Sequence, residues 1–436
     1  MLFSALGLCD ELLKTVEEQG YTSPSPVQSA AIPVILAERD LIAVAQTGTG
    51  KTASFTLPLL QLLNSGSQAA LCKKPSKKPS KDPGNIRALI ITPTRELAAQ
   101  VAKNVQTYGQ STNLSSLAVF GGVRIEAQIH ELQNGIDILI ATPGRLLDLH
   151  SQKAVNFAQL DILVLDEADR MLDLGFIDDI NKIESLLPRQ RQTLMFSATF
   201  SKEIKSLAKS MLSNPVLLEL TPSNSHVNSI QQILHPVDKA RKSELLVHLI
   251  KQNDFAQMLV FTRTKRGADE LRNLLESKNI SAESIHANRT QRARTQALDG
   301  FREGTIKVLV ATDIASRGID VSDLPCVINF DLPFVPEDYV HRIGRTGRAS
   351  AQGIAITFYS EDEAKQLNSI ERLLKRKFTH ELVQGFAPTP QAKVPAVEDD
   401  LYGNFEPDPN ASRRSKPKHR SNPKHRSKKS TIVKPK

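Results

Sequence analysis

At 436 residues the chain is too long for one ordinary core and suits two domains of about 150 to 200 residues with appendages. Hydrophobic residues make up 40% and charged residues 24%, with no apolar run of the roughly 18 residues needed to cross a bilayer, and Met1 to Leu13 lacks the basic start of a signal peptide, so neither a membrane-spanning nor a secreted protein is expected. Cys9, Cys72 and Cys326 are few and scattered, against a disulfide framework or a zinc site and in keeping with a reducing cytoplasm, while the net charge of +9 is gathered at one end: residues 410–436 hold eleven Lys or Arg and no acid, which favours a polyanionic partner such as nucleic acid.

In chain order, short β-branched runs alternate with longer helical patterns, the rhythm of an open parallel α/β sheet. Strands are predicted at Leu41–Ala45, Ala88–Thr92, Ile136–Ala141, Ile162–Asp166 and Thr193–Ser197. Lys73 to Gly84, rich in Lys, Pro and Ser, reads as an exposed loop. Thr221 to Asn228 is short, polar and Pro-containing, and reads as a linker. A second series follows at Met258–Thr262, Val308–Thr312, Val327–Phe330 and Gly353–Phe358, which makes a second α/β lobe. From Ala387 onward Pro and charge replace periodicity, and Pro-Lys-His-Arg-Ser occurs twice, at 417–421 and 423–427, so this tail is expected to be disordered. In such sheets ligands bind at the carboxyl ends of the strands, so the functional residues should lie on the turns that follow them.

Ala45-Gln46-Thr47-Gly48-Thr49-Gly50-Lys51-Thr52 follows a strand and precedes the apolar helical stretch Ala53–Leu63. In a phosphate-binding loop the small residues let backbone N–H groups cup the phosphates, Lys51 neutralises their β and γ oxygens, and the Thr52 hydroxyl serves Mg²⁺. Ala45 stands where the general pattern has its first Gly. Farther on, the apolar run Ile162–Leu165 delivers Asp166 and Glu167 at its carboxyl end. Asp166 would hold Mg²⁺ and Glu167 would orient or deprotonate the attacking water, because phosphoryl transfer depends on positioning and charge stabilisation.

The tetrapeptide Asp166-Glu167-Ala168-Asp169 makes the likeness specific: over roughly residues 3 to 360 the chain resembles a DEAD-box ATP-dependent RNA helicase. That resemblance implies two RecA-like parallel-sheet lobes in tandem, with ATP and Mg²⁺ as cofactors. It divides the chain into an adenine-reading element (1–30), an ATP-binding lobe (31–219), a linker (220–229), a C-terminal lobe (230–386) and the basic tail (387–436). Phe3, Tyr21 and Gln28, in Gly20-Tyr21-Thr22-Ser23-Pro24-Ser25-Pro26-Val27-Gln28, would read adenine, since one amide can both donate and accept.

The resemblance further implies RNA-backbone contacts at Arg95 of Pro93–Ala98, Gly122, and Thr142 and Arg145 of Thr142-Pro143-Gly144-Arg145, and coupling roles for Ser197, Thr199, Asp169 and His341. In the second lobe it implies RNA contacts at Arg263, Gln291, Arg294 and Thr312, a ribose contact at Asp320, and arginine fingers at Arg345 and Arg348 of His341–Arg348. Ala287 stands after His286 where the family usually has Gly. The compact length, Phe3 to Gly7 and the basic tail are most similar to the bacterial RhlE group. With no Trp and 5% aromatics, base-stacking platforms are not expected, and backbone and 2′-hydroxyl contacts would distinguish RNA from DNA. Cytoplasmic RNA remodelling, in ribosome assembly or RNA turnover, follows from the resemblance. A DNA helicase and an ATP-gated RNA clamp are the competing readings.

Overall fold

The computed structural model describes residues 2–45, 48–70, 86–220, 230–253, 255–313, 321, 324–347 and 353–389. The Lys73–Gly84 loop, the 221–228 linker, Cys72 and the tail beyond 389 lie outside them. No helix among the described residues is long and apolar enough to cross a membrane.

The first sheet has seven parallel strands: β1 (Leu41–Val44), β2 (Ala88–Ile91), β3 (Ser116–Val119), β4 (Ile138–Ala141), β5 (Ile162–Leu165), β6 (Gln192–Ser197) and β7 (Val216–Glu219), in the order β3-β4-β2-β5-β6-β1-β7. Its central strands read Leu-Ile-Ala-Val, Ala-Leu-Ile-Ile, Ile-Leu-Ile-Ala and Ile-Leu-Val-Leu and are buried at every position, as a sheet covered by helices on both faces requires. Separate apolar clusters fill the two faces, one under the helices Pro26–Leu36, Lys51–Ala70 and Arg95–Tyr108 and the other under Pro143–Ser151 and Ile177–Leu186.

The second sheet has six parallel strands: β8 (Ile230–Pro236), β9 (Met258–Phe261), β10 (Ala282–Ile285), β11 (Val308–Ala311), β12 (Cys326–Asn329) and β13 (Gly353–Tyr359), in the order β10-β11-β9-β12-β13-β8. Both lobes are therefore the parallel α/β units expected. β3, β7, β8 and β10 are strands that the sequence pattern does not mark.

Two expected boundaries move. The helix Pro26–Leu36 runs across residue 30, and Phe3, Leu6 and Leu12 belong to the same apolar cluster as β1, so the segment expected to read adenine is continuous with the first lobe. The tail does not begin at 387. Phe386 packs against His248 at 5.2 Å, and Thr389 donates its N–H and hydroxyl to Asp238, so the chain clings to the second lobe for three residues more.

Candidate functional site

Strand order divides the first sheet into two working halves. β5, β6 and β1 are successive neighbours, and their carboxyl ends present Asp166, Ser197 and the loop that begins at Ala45 side by side. β3, β4 and β2 form the other half, whose carboxyl ends carry the turns with Gly122, Thr142 and Arg95.

In the nucleotide half, Gly48 and Gly50 have φ of 78° and 90°, the left-handed region that Gly enters without strain. At Gly50 the space is also closed: a Cβ would lie 2.5 Å from Gln28 Nε2. Lys51 opens the following helix, is buried, and donates from Nζ to the Ala45 carbonyl at 2.8 Å, so its ammonium folds back over the loop. Gln46 and Thr47 lie outside the described residues; Thr49 and Thr52 are half-buried.

Gln28 is fixed by a capping box: Ser25 Oγ accepts its N–H, and its Oε1 accepts the Ser25 N–H at 2.8 Å. Its Nε2 donates to the Gly50 carbonyl at 3.3 Å. The amide thus ties the segment expected to read adenine to the loop before Lys51, and one N–H and one oxygen lone pair remain for a ligand. Phe3 and Tyr21 lie with ring centroids 6.5 Å apart, and the Tyr21 hydroxyl meets that of Tyr108 at 3.0 Å.

At the end of β5, burial pushes the Asp166 carboxyl up to about 7, with the charges of Glu167 and Asp169 adding and that of Lys51 opposing. Glu167 adopts φ 52° and ψ 51°, an uncommon conformation for a side-chain-bearing residue and one found at functional turns. Its Oε2 is buried without a hydrogen-bond partner. A buried acid well above its ordinary range beside an unsatisfied carboxylate oxygen fits a site completed by a cation and water, so Asp166 and Thr52 are suited to hold Mg²⁺. Asp169 Oδ2 accepts the N–H groups of Ala198 and Thr199, each at 3.0 Å, and Ser197 Oγ donates to the Thr199 carbonyl at 2.7 Å. The expected coupling residues Asp169, Ser197 and Thr199 are therefore in direct contact.

The other half carries the first-lobe residues at which RNA contacts are expected. Arg95 lies against the Gly121-Gly122 turn, where a Cβ on Gly122 would fall 1.9 Å from its Nη1, so only Gly fits. The Arg145 guanidinium is engaged within its own lobe. It donates to Gln128 Oε1 at 2.8 Å and to the Val123 carbonyl at 3.1 Å, and so braces the segment after Gly122. Thr142 is buried at the N-terminus of Pro143–Ser151.

In the second lobe, Gln291 and Arg294 reach the first lobe: Glu96 Oε1 accepts from Gln291 Nε2 at 3.1 Å, and Glu96 Oε2 pairs with Arg294 Nη2 at 2.7 Å. Glu96 lies within the Pro93–Ala98 motif, yet nothing in its sequence surroundings assigns it a role; only the fold brings it to its partners. Arg263 pairs with Glu363, itself bound to buried Lys242 at 2.5 Å, and stacks over Phe334 at 4.7 Å. Thr312 follows β11 and is buried. His341 and Arg345 lie at and just beyond the end of the helix Pro336–Ile343 and are half-buried. Asp320 and Arg348 lie outside the described residues.

Arg342, between His341 and Arg345 in sequence, serves its own lobe instead. It forks onto Asp313 at 2.5 and 2.7 Å and donates to Asn329 and the Asp331 carbonyl. A cavity of about 640 Å³, lined by Lys251, Lys278 and Lys307 among others, lies at the amino ends of the second sheet's strands, away from this chemistry.

A DEAD/DEAH box helicase family model matches residues 25–207, and a helicase conserved C-terminal domain matches 241–350. The chain is 41% identical over 370 residues to the DEAD-box ATP-dependent RNA helicase RhpA of Helicobacter pylori, covering 85% of this chain and 72% of that one. It is 41% identical over 375 residues to CshA of Bacillus subtilis, covering 86% and 73%. Among solved structures, S. cerevisiae Dbp5 bound to RNA and ADP BeF3 superposes with a TM-score of 0.75 at 32% identity, covering 87% of this chain and 95% of that one. These likenesses do not single out the RhlE group. With the phosphate loop, the Asp166–Asp169 tetrapeptide and both RecA-like lobes in place, the chain belongs to the DEAD-box ATP-dependent RNA helicase family.

Proposed function

We propose that the protein is an RNA-stimulated ATPase that binds ATP and RNA between its lobes and locally separates or remodels RNA duplexes. The observation that carries this reading is the buried pair Asp166 and Glu167 beside the Lys51 loop, with Glu167 Oε2 unpartnered. Lys51 supplies countercharge to the β and γ phosphates, and Gln28 holds the adenine edge. Thr52 and Asp166 would hold Mg²⁺, which would supply neutralisation of phosphate charge. Glu167 orients the attacking water, and Arg345 and Arg348 stabilise the charge that develops on the transferred phosphoryl group. RNA lies along the opposite halves of the two sheets, against Arg95, Gly122, Thr142, Arg263 and Thr312. Arg145 braces that surface, while Gln291 and Arg294 hold the lobes together across it.

Because the phosphate cradle and the arginines belong to different lobes, hydrolysis needs both lobes together. If RNA also bridges the lobes, each ligand favours the arrangement the other needs, and each must promote the other's binding. The scattered free thiols suit a reducing compartment, which supports a cytoplasmic site of action, and RNA remodelling in ribosome assembly or turnover is the role proposed there. The test is ATP turnover without nucleic acid, with RNA and with DNA, followed by separation of short duplexes. Stimulation by RNA alone is expected. Equal stimulation by DNA overturns the RNA reading, and RNA-stimulated turnover without duplex separation assigns the protein to the ATP-gated clamps.

A further inference from the structure

We propose that Arg170 and Asp338 are positioning residues that latch the two lobes together and thereby carry Arg345 to the phosphate site. This inference rests on the ATPase reading above and concerns two residues to which the motifs give no role. Arg170 Nη1 donates to Asp338 Oδ1 at 3.0 Å across 168 residues of sequence, and both side chains are only 8% exposed. Asp173, on the helix of Arg170, is a secondary partner at 3.4 Å and is itself half exposed.

Each partner is tied to machinery of its own lobe. Arg170 directly follows Asp169, and its N–H donates to Asp169 Oδ1 at 3.1 Å, while the other carboxylate oxygen holds Ala198 and Thr199. Asp338 lies in the first turn of the helix Pro336–Ile343. Arg345 lies two residues beyond the end of that helix, its N–H donating to the Arg342 carbonyl at 3.2 Å, so it is carried on the same element as Asp338. The helix cannot slide within its lobe: Tyr339 is fully buried, and Arg342 is bound to Asp313, Asn329 and the Asp331 carbonyl. Docking Asp338 onto the first lobe therefore fixes where Arg345 arrives.

The chemistry favours a latch over a source of fold stability. A buried pair gains little over two solvated ions, but an unpaired charge at the same place is strongly disfavoured. Arrangements of the lobes that bury only one partner are thereby rejected, while lobes that are apart keep both charges in water.

The experiment measures ATP turnover by the full-length protein against RNA and ATP concentration, for wild type, Asp338→Asn, Arg170→Gln, Arg170→Lys and the double variant Arg170→Gln/Asp338→Asn. Each neutralising single variant is expected to lower RNA-stimulated kcat, or raise the RNA needed for half-stimulation, by about tenfold, within the range usual for coupled sites. RNA-free binding of a fluorescent ATP analogue should change less than about twofold in Asp338→Asn, because the first lobe alone holds the nucleotide then. The double variant should be no worse than the worse single one, and Arg170→Lys should recover part of the loss. Thermal unfolding identifies any misfolded variant, and Arg170→Lys against wild type then carries the comparison. Single variants within twofold of wild type, or losses that multiply in the double variant, overturn the latch. Wild-type turnover indifferent to RNA overturns the proposed function and the latch with it, whereas normal stimulation with unaffected variants overturns the latch alone.

Discussion

Replacing Asp166 by Asn should abolish activity yet make the nucleotide-free protein more stable above neutral pH. Burial, helped by Glu167 and Asp169, raises this carboxyl from 3.8 to about 7. Between those values the folded protein holds a proton that the unfolded chain has lost. The contribution to stability is therefore complete below about pH 4 and is lost as pH rises through about 7. Three units at about 1.36 kcal/mol each give a total near 4 kcal/mol, of which about 2 to 3 kcal/mol falls between pH 5 and pH 8. Asn has nearly the same shape and no charge to bury, so it escapes the loss. The assay is urea unfolding of both proteins at a series of pH values with a chelator present, followed by circular dichroism. The advantage of Asp166→Asn should grow by an amount of that order from pH 5 to pH 8. A difference that stays constant within about 0.5 kcal/mol across the range would show that the native carboxyl ionises near its ordinary value, and the strained-acid picture of the site would fail.

Glu167→Gln should keep ATP binding and hold RNA tightly while turnover falls at least about a hundredfold, since the carboxylate that positions water is gone; near-normal turnover in a steady-state assay would remove that role. Gln28→Ala should erode the preference for ATP over GTP by about tenfold, and it should also loosen the loop because the tie to the Gly50 carbonyl is lost; comparison of both nucleotides at saturating RNA checks this. Arg345→Ala should reduce turnover by about a thousandfold and ATP affinity far less, as expected of a group that acts on the transition state; turnover within a factor of two of wild type would refute it. Removing residues 410–436, with their eleven basic side chains, should leave turnover at saturating RNA intact but flatten the salt dependence of RNA binding. A tail engaging roughly four phosphates contributes about −3 to the logarithmic slope, so equal slopes for full-length and shortened protein would end the nucleic-acid reading of that charge.

What could be read from the sequence follows from how parallel sheets are built. Central strands are covered on both faces, so Leu41–Val44, Ala88–Ile91 and Val308–Ala311 are unbroken apolar runs that stand out in the chain. The four strands that the sequence pattern does not mark, β3, β7, β8 and β10, are the outermost strands of the two sheets. An edge strand is only partly covered: Val216–Glu219 alternates between half-buried and exposed, and Ala282–Ile285 reads Ala-Glu-Ser-Ile, so hydropathy alone cannot find them. The site was legible for a related reason. Lys51, Asp166 and Asp169 follow directly on central strands or their turns, where a parallel sheet presents its chemistry. The contacts between the lobes were not legible. Glu96 finds Arg294, and Arg170 finds Asp338, only through the meeting of two lobes, and no local spacing encodes a contact between chain segments so far apart. Arg145 shows the converse: its place in a motif was plain, but that its guanidinium is occupied by Gln128 and Val123 depends on how the turn after Gly122 folds back.

Among the described residues, the cross-lobe contacts of Glu96 and of Arg170 fall on opposite halves of the sheets. Glu96 follows β2 and meets residues after β10, in the halves proposed for RNA; Arg170 follows β5 and meets the helix after β12, in the halves proposed for the nucleotide and its arginine. A ligand bridging one half thus stabilises the contact beside it and, because each lobe is a single sheet with its own packed core, brings the distant contact into register as well. Neither contact alone specifies the joined arrangement, since the lobes could pivot about either one. Two contacts on opposite halves remove that freedom, and each is assisted by a different ligand. RNA and ATP would then be felt together through these pairs of charges, which would give the reciprocity proposed for an RNA-stimulated ATPase a structural carrier.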